Sequence, residues 1–158
     1  MSLPKLYIET TIPSYLTARR SRDLRLAADQ ETTEEWWETQ RHEYELFISE
    51  TVLDEAGIGD VAFAARRLSM LVGLPRLIVT QEVSVIAAQL LGDEIIPAKS
   101  APDAMHLALS AAHGVDYLLT WNCKHIHNVK LERRIEAVCR SFGFACPIIC
   151  TPAELMET

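Results

Sequence analysis

Short apolar runs separated by amphipathic stretches organise this chain. Leu6-Tyr7-Ile8 is β-prone and stops at Glu9-Thr10-Thr11. Pro13 then sits near the start of a segment through Tyr15 and Leu16, where proline suits a first helical turn. The pattern predicts a strand running into a helix, with Glu9 at the strand's carboxyl end. Residues from about 24 to 46 favour helix, with Thr32-x-x-Glu35 as a candidate capping box interrupting it. There Glu34, Glu35, Glu38 and Glu43 predict a solvated face, and Trp36-Trp37 a packed one. Leu46-Phe47-Ile48 reads as a second strand, followed by a helix over 51–56 that Gly57 and Gly59 break. A helix over 60–72 is expected to turn Val61, Ala64, Ala65, Leu68 and Leu71 inward.

The second half repeats this rhythm. Leu77-Ile78-Val79 predicts a third strand, with a helix over 83–91 and a loop over 93–100. A helix then starts near Pro102 and ends at Gly114, and Tyr117-Leu118-Leu119 is the fourth strand. A helix over 131–142 and the apolar run Pro147-Ile148-Ile149-Cys150 complete the chain. Strands alternating with helices imply an α/β fold, a three-layer α/β/α sandwich with a central parallel sheet. With no internal repeat, linker or low-complexity segment, a single domain over 1–158 is expected.

Composition narrows the classes. The chain has 158 residues, 49% hydrophobic and 23% charged, enough to bury roughly 70% of its unfolded surface without staples. No stretch approaches ~18 consecutive apolar residues, so no membrane span is expected. Met1-Ser2-Leu3-Pro4-Lys5 lacks the basic and apolar segments of a signal peptide, which points to a cytoplasmic protein. Cys123, Cys139, Cys146 and Cys150 contain no CxxC pair and are expected to be reduced, buried thiols. The net charge of −7 excludes a protein that coats nucleic acid through bulk charge. It leaves open an acidic site that handles nucleic acid through metal ions.

In an open α/β sheet the site lies beyond the carboxyl ends of the strands. That rule selects Glu9 after strand one and Asn122 after strand four, with Glu55 on the short helix after strand two. It also selects Asp103, at the start of the helix leading into strand four. Converging carboxylates repel one another without a cation, and hard oxygen ligands suit Mg²⁺ or Mn²⁺. Each residue also has a plainer role. Asp103 closes a Ser100-x-x-Asp103 capping pattern, Glu55 and Asp54 fit a solvated helix, and Asn122 fits a turn. His106, one turn after Asp103 on the same helix face, is in reach of such a pocket, with a hydrogen-bonded structural role as its default. Cys123, His125 and His127 alternate but lack a fourth ligand at a familiar zinc spacing.

The order Tyr7-Ile8-Glu9-Thr10-Thr11, Val52-Leu53-Asp54-Glu55, Asp103-Ala104-Met105-His106-Leu107-Ala108 and Leu118-Leu119-Thr120-Trp121-Asn122 resembles the PIN-domain nucleases. Within these it is most similar to the VapC-type toxins of prokaryotic toxin–antitoxin pairs. The resemblance runs from about residue 5 to 150, and its most specific part is the DAxHLA helix start with GxDYLLTWN. It implies an endoribonuclease that binds Mg²⁺ or Mn²⁺ in an acidic pocket and hydrolyses RNA through metal-activated water. A small antitoxin protein is the implied partner, with a homodimer as a further option for apolar helices such as that of Trp36-Trp37.

Carried over by position, the resemblance makes Glu9, Glu55 and Asp103 metal ligands and catalytic residues, and puts Asn122 at the fourth acid's place. Thr11 and Thr120 match hydroxyls beside the metal. Two departures stand out: Glu9 is a methylene longer than the usual Asp, and Asn122 lacks a charge. A site weakened in this way would suit a non-catalytic module that binds RNA or a partner. Asp116 precedes strand four and so falls at the opposite end. Arg19, Arg20, Arg22 and Arg25, with Lys124, are the basic residues nearest the motifs and the candidates for phosphate contacts. Trp121 is a candidate for base stacking, or a core residue.

Overall fold

A computed structural model describes residues 2–156; positions 1, 157 and 158 of the expected domain lie outside the described residues. The chain enters at the middle of a sheet. β1 (Lys5–Ile8) leads through α1 (Thr11–Thr17) and α2 (Leu24–Thr39) to β2 (Glu45–Ser49). Next come α3 (Glu50–Ala56), α4 (Val61–Met70) and β3 (Arg76–Leu77), then α5 (Gln81–Gly92) and α6 (Ala101–Ala112). β4 (Tyr117–Leu119), α7 (Glu132–Ser141), β5 (Ile148–Cys150) and α8 (Pro152–Met156) follow.

The five strands are all parallel, in the order β3-β2-β1-β4-β5, and helices flank them. β1 is central because it is apolar on both faces, and Leu6, Tyr7 and Ile8 are fully buried. Tyr7 lies opposite Phe47 on one side and Leu118 on the other. After β1 the chain builds outward to β2 and β3, then returns to add β4 and β5 on the other side. Right-handed crossovers send the helices of the two halves to opposite faces. Accordingly α5 packs on α6 and α7, whereas α1 packs on α2 and α4. Between β1 and β4 the connections diverge, which opens a crevice at the strands' carboxyl ends.

Several local expectations change. α2 runs unbroken through Thr32, whose hydroxyl donates to the Ala28 carbonyl (3.0 Å) instead of capping a new helix. It ends at Thr39, because the chain needs Gln40–Tyr44 to turn back into β2. On α4 only part of the predicted apolar face is inside. Ala64 and the following Leu71 are buried, but Val61 is 84% exposed and Ala65 is also outside. That helix lies at the sheet's periphery and finds neighbours along one narrow stripe. β3 is an edge strand of two residues, which leaves Ile78 and Val79 exposed. Cys139 and Cys150 are buried free thiols and Cys146 is half-buried, whereas Cys123 is exposed, contrary to expectation. Among the described residues no helix is long and apolar enough to cross a membrane.

Candidate metal centre

The crevice between β1 and β4 is where polar residues converge. Glu9 continues β1 by one hydrogen bond, its N–H donating to the Leu119 carbonyl (3.1 Å), while its own carbonyl accepts from Ile12 as α1 begins. It is 3% exposed. A buried carboxylate needs donors, and here they come from two elements. Oε1 accepts from the Thr11 N–H (3.1 Å), the Thr11 hydroxyl and the Thr120 hydroxyl (2.7 Å). Those hydroxyls are themselves fixed, Thr11 Oγ1 accepting from the Trp121 N–H and Thr120 Oγ1 from the Asn122 N–H. The longer side chain of Glu9 thus curls back onto its own turn. Its other oxygen, Oε2, has no hydrogen-bond partner among the described residues.

Glu55 repeats the arrangement from α3. Ser49 caps that helix, accepting from the Val52 N–H (3.3 Å), and thereby aims its last turn at the crevice. Glu55 Oε1 accepts from the Thr10 hydroxyl (2.7 Å) and pairs with His106 Nε2 (2.6 Å). Oε2 is again without a partner among the described residues. His106, on α6, is fully buried, and its Nδ1 lies 2.7 Å from the Tyr7 hydroxyl, which lies 2.6 Å from Ser49 Oγ. Burial pushes the Tyr7 phenol far above its ordinary range, so it stays protonated. One proton assignment gives every member a partner: Ser49 donates to Tyr7, Tyr7 to Nδ1, and Nε2–H to Glu55. The hydrogen-bond network assigns this tautomer.

Burial works to raise the Glu55 carboxyl, but the hydrogen bonds it accepts from His106 and from the Thr10 hydroxyl overcome it and hold the group below its usual range. A carboxyl whose pKa is lower folded than unfolded stabilises the protein above the unfolded value, about 4.3. That stabilisation is lost as pH falls through the folded value. Thermal unfolding scans between pH 6 and pH 3 should therefore show a steeper loss of Tm below about pH 4 in wild type than in Glu55→Gln. Parallel curves would rule out this linkage.

Glu9, Glu55 and His106 together offer ligand atoms that all lie within 4.8 Å of one another, a group that could hold a metal ion. Asp103 stands outside this group. It lines the same cavity, of about 420 Å³, together with Thr10, Thr11, Ser14, Ile58, Arg67 and Asn122. Its Oδ2 lies 2.9 Å from His125 Nδ1. Ser100 makes no side-chain cap, so the capping-box role for Asp103 is not realised. Asn122 lines the cavity too, but its Oδ1 accepts from the His125 N–H (3.1 Å), as in a turn. His125 and His127 engage Asp103 and Glu154 separately, and the alternating Cys123-His125-His127 triplet forms no zinc-like cluster among the described residues.

Basic residues divide differently from the expectation. Arg20 is tied to Glu34 and the Ala27 carbonyl, and Arg22, Arg25 and Lys124 are exposed outside the cavity lining. Arg19 lines the groove next door. The guanidinium that does line the cavity is Arg67, from α4, held by the Ala56 and Ile58 carbonyls. Nothing in the sequence around Arg67 marks it, because its place depends on α4 folding back over the end of α3. His106 had a signal, its spacing from Asp103. Trp121 is structural, stacked on Tyr15 (5.6 Å) with its Nε1–H donating to Thr33 (2.8 Å).

A larger depression, about 840 Å³, opens at the opposite edge of the sheet near Pro4, His113 and Asp116, without a cluster of metal-competent ligands among the described residues. Asp116 is there, accepting from the Lys5 N–H (2.8 Å). The chain is thus an α/β protein with a candidate metal centre at its topological switch point, and comparison of its sequence with protein-family models and with curated proteins found no match.

Proposed function

We propose that the chain is a metal-dependent endoribonuclease of PIN type, the toxin member of a toxin–antitoxin pair. One observation carries the chemistry. Two carboxylates from different elements meet in the switch-point crevice, each with one oxygen held by donors and the other unpaired among the described residues. That donor set fits a hard divalent cation, Mg²⁺ or Mn²⁺, with Glu9 and Glu55 as its holders and Asp103 at hand in the same cavity. His106 acts here as the donor that orients Glu55, the usual task of groups behind a ligand. A bound cation would supply Lewis acidity towards the phosphate and a water of lowered pKa. Thr10, Thr11 and Thr120 keep the carboxylates from rotating. The RNA and antitoxin assignments, the cytoplasmic location and a single-domain organisation rest on the sequence resemblance and composition.

A second reading is favoured by Asn122, neutral and engaged by the His125 N–H: a module that binds RNA or a protein with little turnover. The two separate in one assay. Protein stripped with EDTA is titrated with Mn²⁺ or Mg²⁺ on labelled single-stranded RNA and DNA, beside Asp103→Asn. The nuclease reading expects RNA cleavage that needs the cation and falls about 10–100-fold or more in the variant. Undiminished cleavage in EDTA would overturn it, and RNA binding without turnover would establish the second reading.

A further inference from the structure

Beside the acidic cavity lies a second groove lined by Ala18, Arg19, Ile58, Gly59, Asp60, Phe63 and Arg67. Ile58 and Arg67 line both, so the two depressions adjoin. Gly59, at φ +95°, makes the tight link between α3 and α4 that brings Arg67 back beneath Ile58. Arg67 is pre-set, with Nε and Nη2 spent on the Ala56 and Ile58 carbonyls and Nη1 without a partner among the described residues. Phe63 is half-buried, and the guanidinium carbons of Arg19 and Arg66 lie 5.8 and 4.8 Å from its ring centroid. The acid of the groove, Asp60, is engaged as the cap of α4, accepting from the Ala62 and Phe63 N–H groups.

We propose that this groove is a nucleotide subsite: Arg67 takes a backbone phosphate leaving the acidic cavity, and Phe63 stacks the adjoining base, with Arg19 and Arg66 along its rim. The proposal rests on the nuclease reading and names the form of its substrate. Two arginines over an aromatic ring and a third lining the same groove are out of keeping with a chain of net charge −7, and complement a polyanion carrying π faces. A base that stacks on one face of the ring displaces one exposed cation–π contact and replaces it with a stronger one. The released guanidinium then reaches a phosphate, and base and arginine stacking can coexist. A duplex keeps its bases paired and cannot offer one to Phe63, so the subsite selects single strands.

The test is fluorescence anisotropy of a labelled single-stranded RNA octamer in EDTA, where the proposed chemistry is off. Phe63→Leu keeps apolar volume and removes the π face, and it should weaken binding about 5- to 150-fold. Arg19→Gln/Arg66→Gln should flatten the salt dependence, by about 0.7 in slope for each phosphate no longer neutralised. A hairpin duplex of equal length should bind wild type more weakly than the single strand. Circular dichroism and Mn²⁺-induced thermal stabilisation of Phe63→Leu should match wild type, which separates this subsite from the metal centre. Affinity of Phe63→Leu within twofold of wild type, or tighter binding of the duplex, would overturn the proposal. Wild type that binds the octamer through Phe63 yet never cleaves with Mn²⁺ would overturn the nuclease reading and leave the subsite in place.

Discussion

Glu9→Gln should lower metal-dependent RNA cleavage by about 100-fold or more while leaving the fold intact. Gln is isosteric, and its carbonyl can still take the donors that Glu9 Oε1 accepts from Thr11 and Thr120. The amide nitrogen then stands where Oε2 faced the cavity. It carries no charge and no lone pair for a hard cation, and it can donate to Glu55. Removing a group that merely orients a metal ligand costs about 10–100-fold in affinity or activity, so removing a ligand should cost at least the upper figure. A second readout needs no substrate. A cation at 100 times its Kd stabilises the folded state by about 2.7 kcal/mol. For a chain of this size that is roughly 5–10 °C in Tm. Wild type should gain this on adding Mn²⁺ and Glu9→Gln should not, although without metal the variant should be as stable as wild type or more so, with one repelling charge removed. Equal Mn²⁺ shifts in the two proteins would place the metal elsewhere.

His106→Phe carries the largest expected cost in stability, about 2–4 kcal/mol. His106 is fully buried and both ring nitrogens are engaged, by Tyr7 at 2.7 Å and Glu55 at 2.6 Å. Phe fills a similar volume and makes neither bond. The Tyr7 hydroxyl then has Ser49 as its remaining neighbour, and Glu55 keeps only Thr10 as a donor. A buried polar group left unsatisfied costs about 1–3 kcal/mol, more for a charged one. Urea unfolding should show a lower midpoint at unchanged m, the mark of reduced stability without a change in the surface exposed. A midpoint equal to that of wild type would mean that the Ser49–Tyr7–His106–Glu55 chain contributes little. A weaker Mn²⁺-induced shift in the same variant would add that His106 also orients Glu55.

Much of this architecture is legible along the chain because its signals are local. Leu6-Tyr7-Ile8 followed by Glu9 and Pro13 identifies strand, strand end and helix start within a few residues, and the structure has β1 and α1 there. Where burial is one-sided the reading weakens. Val61 and Ala65 obey a helical period but face solvent, because an outer helix packs along a narrower stripe than the period suggests. At Thr32 a capping pattern lies within a helix that tertiary packing carries straight through.

Taken alone, the sequence determines the alternation of strands and helices, and hence a parallel sheet with polar residues at its carboxyl edge. Both follow from periodicity and from the burial of short apolar runs. Only the tertiary structure decides which atoms are spent and which are left. Glu55 meets Thr10 across 45 positions and His106 across 51, and Thr120 reaches Glu9 across 111. No local pattern records such distances. The structure turns His106 from a helix residue into the partner of Glu55, directs Asp103 to His125 and Asn122 to a turn, and brings Arg67 to the cavity. The reason is physical. A carboxylate's remaining valence depends on every donor around it, and those donors come together only when the sheet has closed.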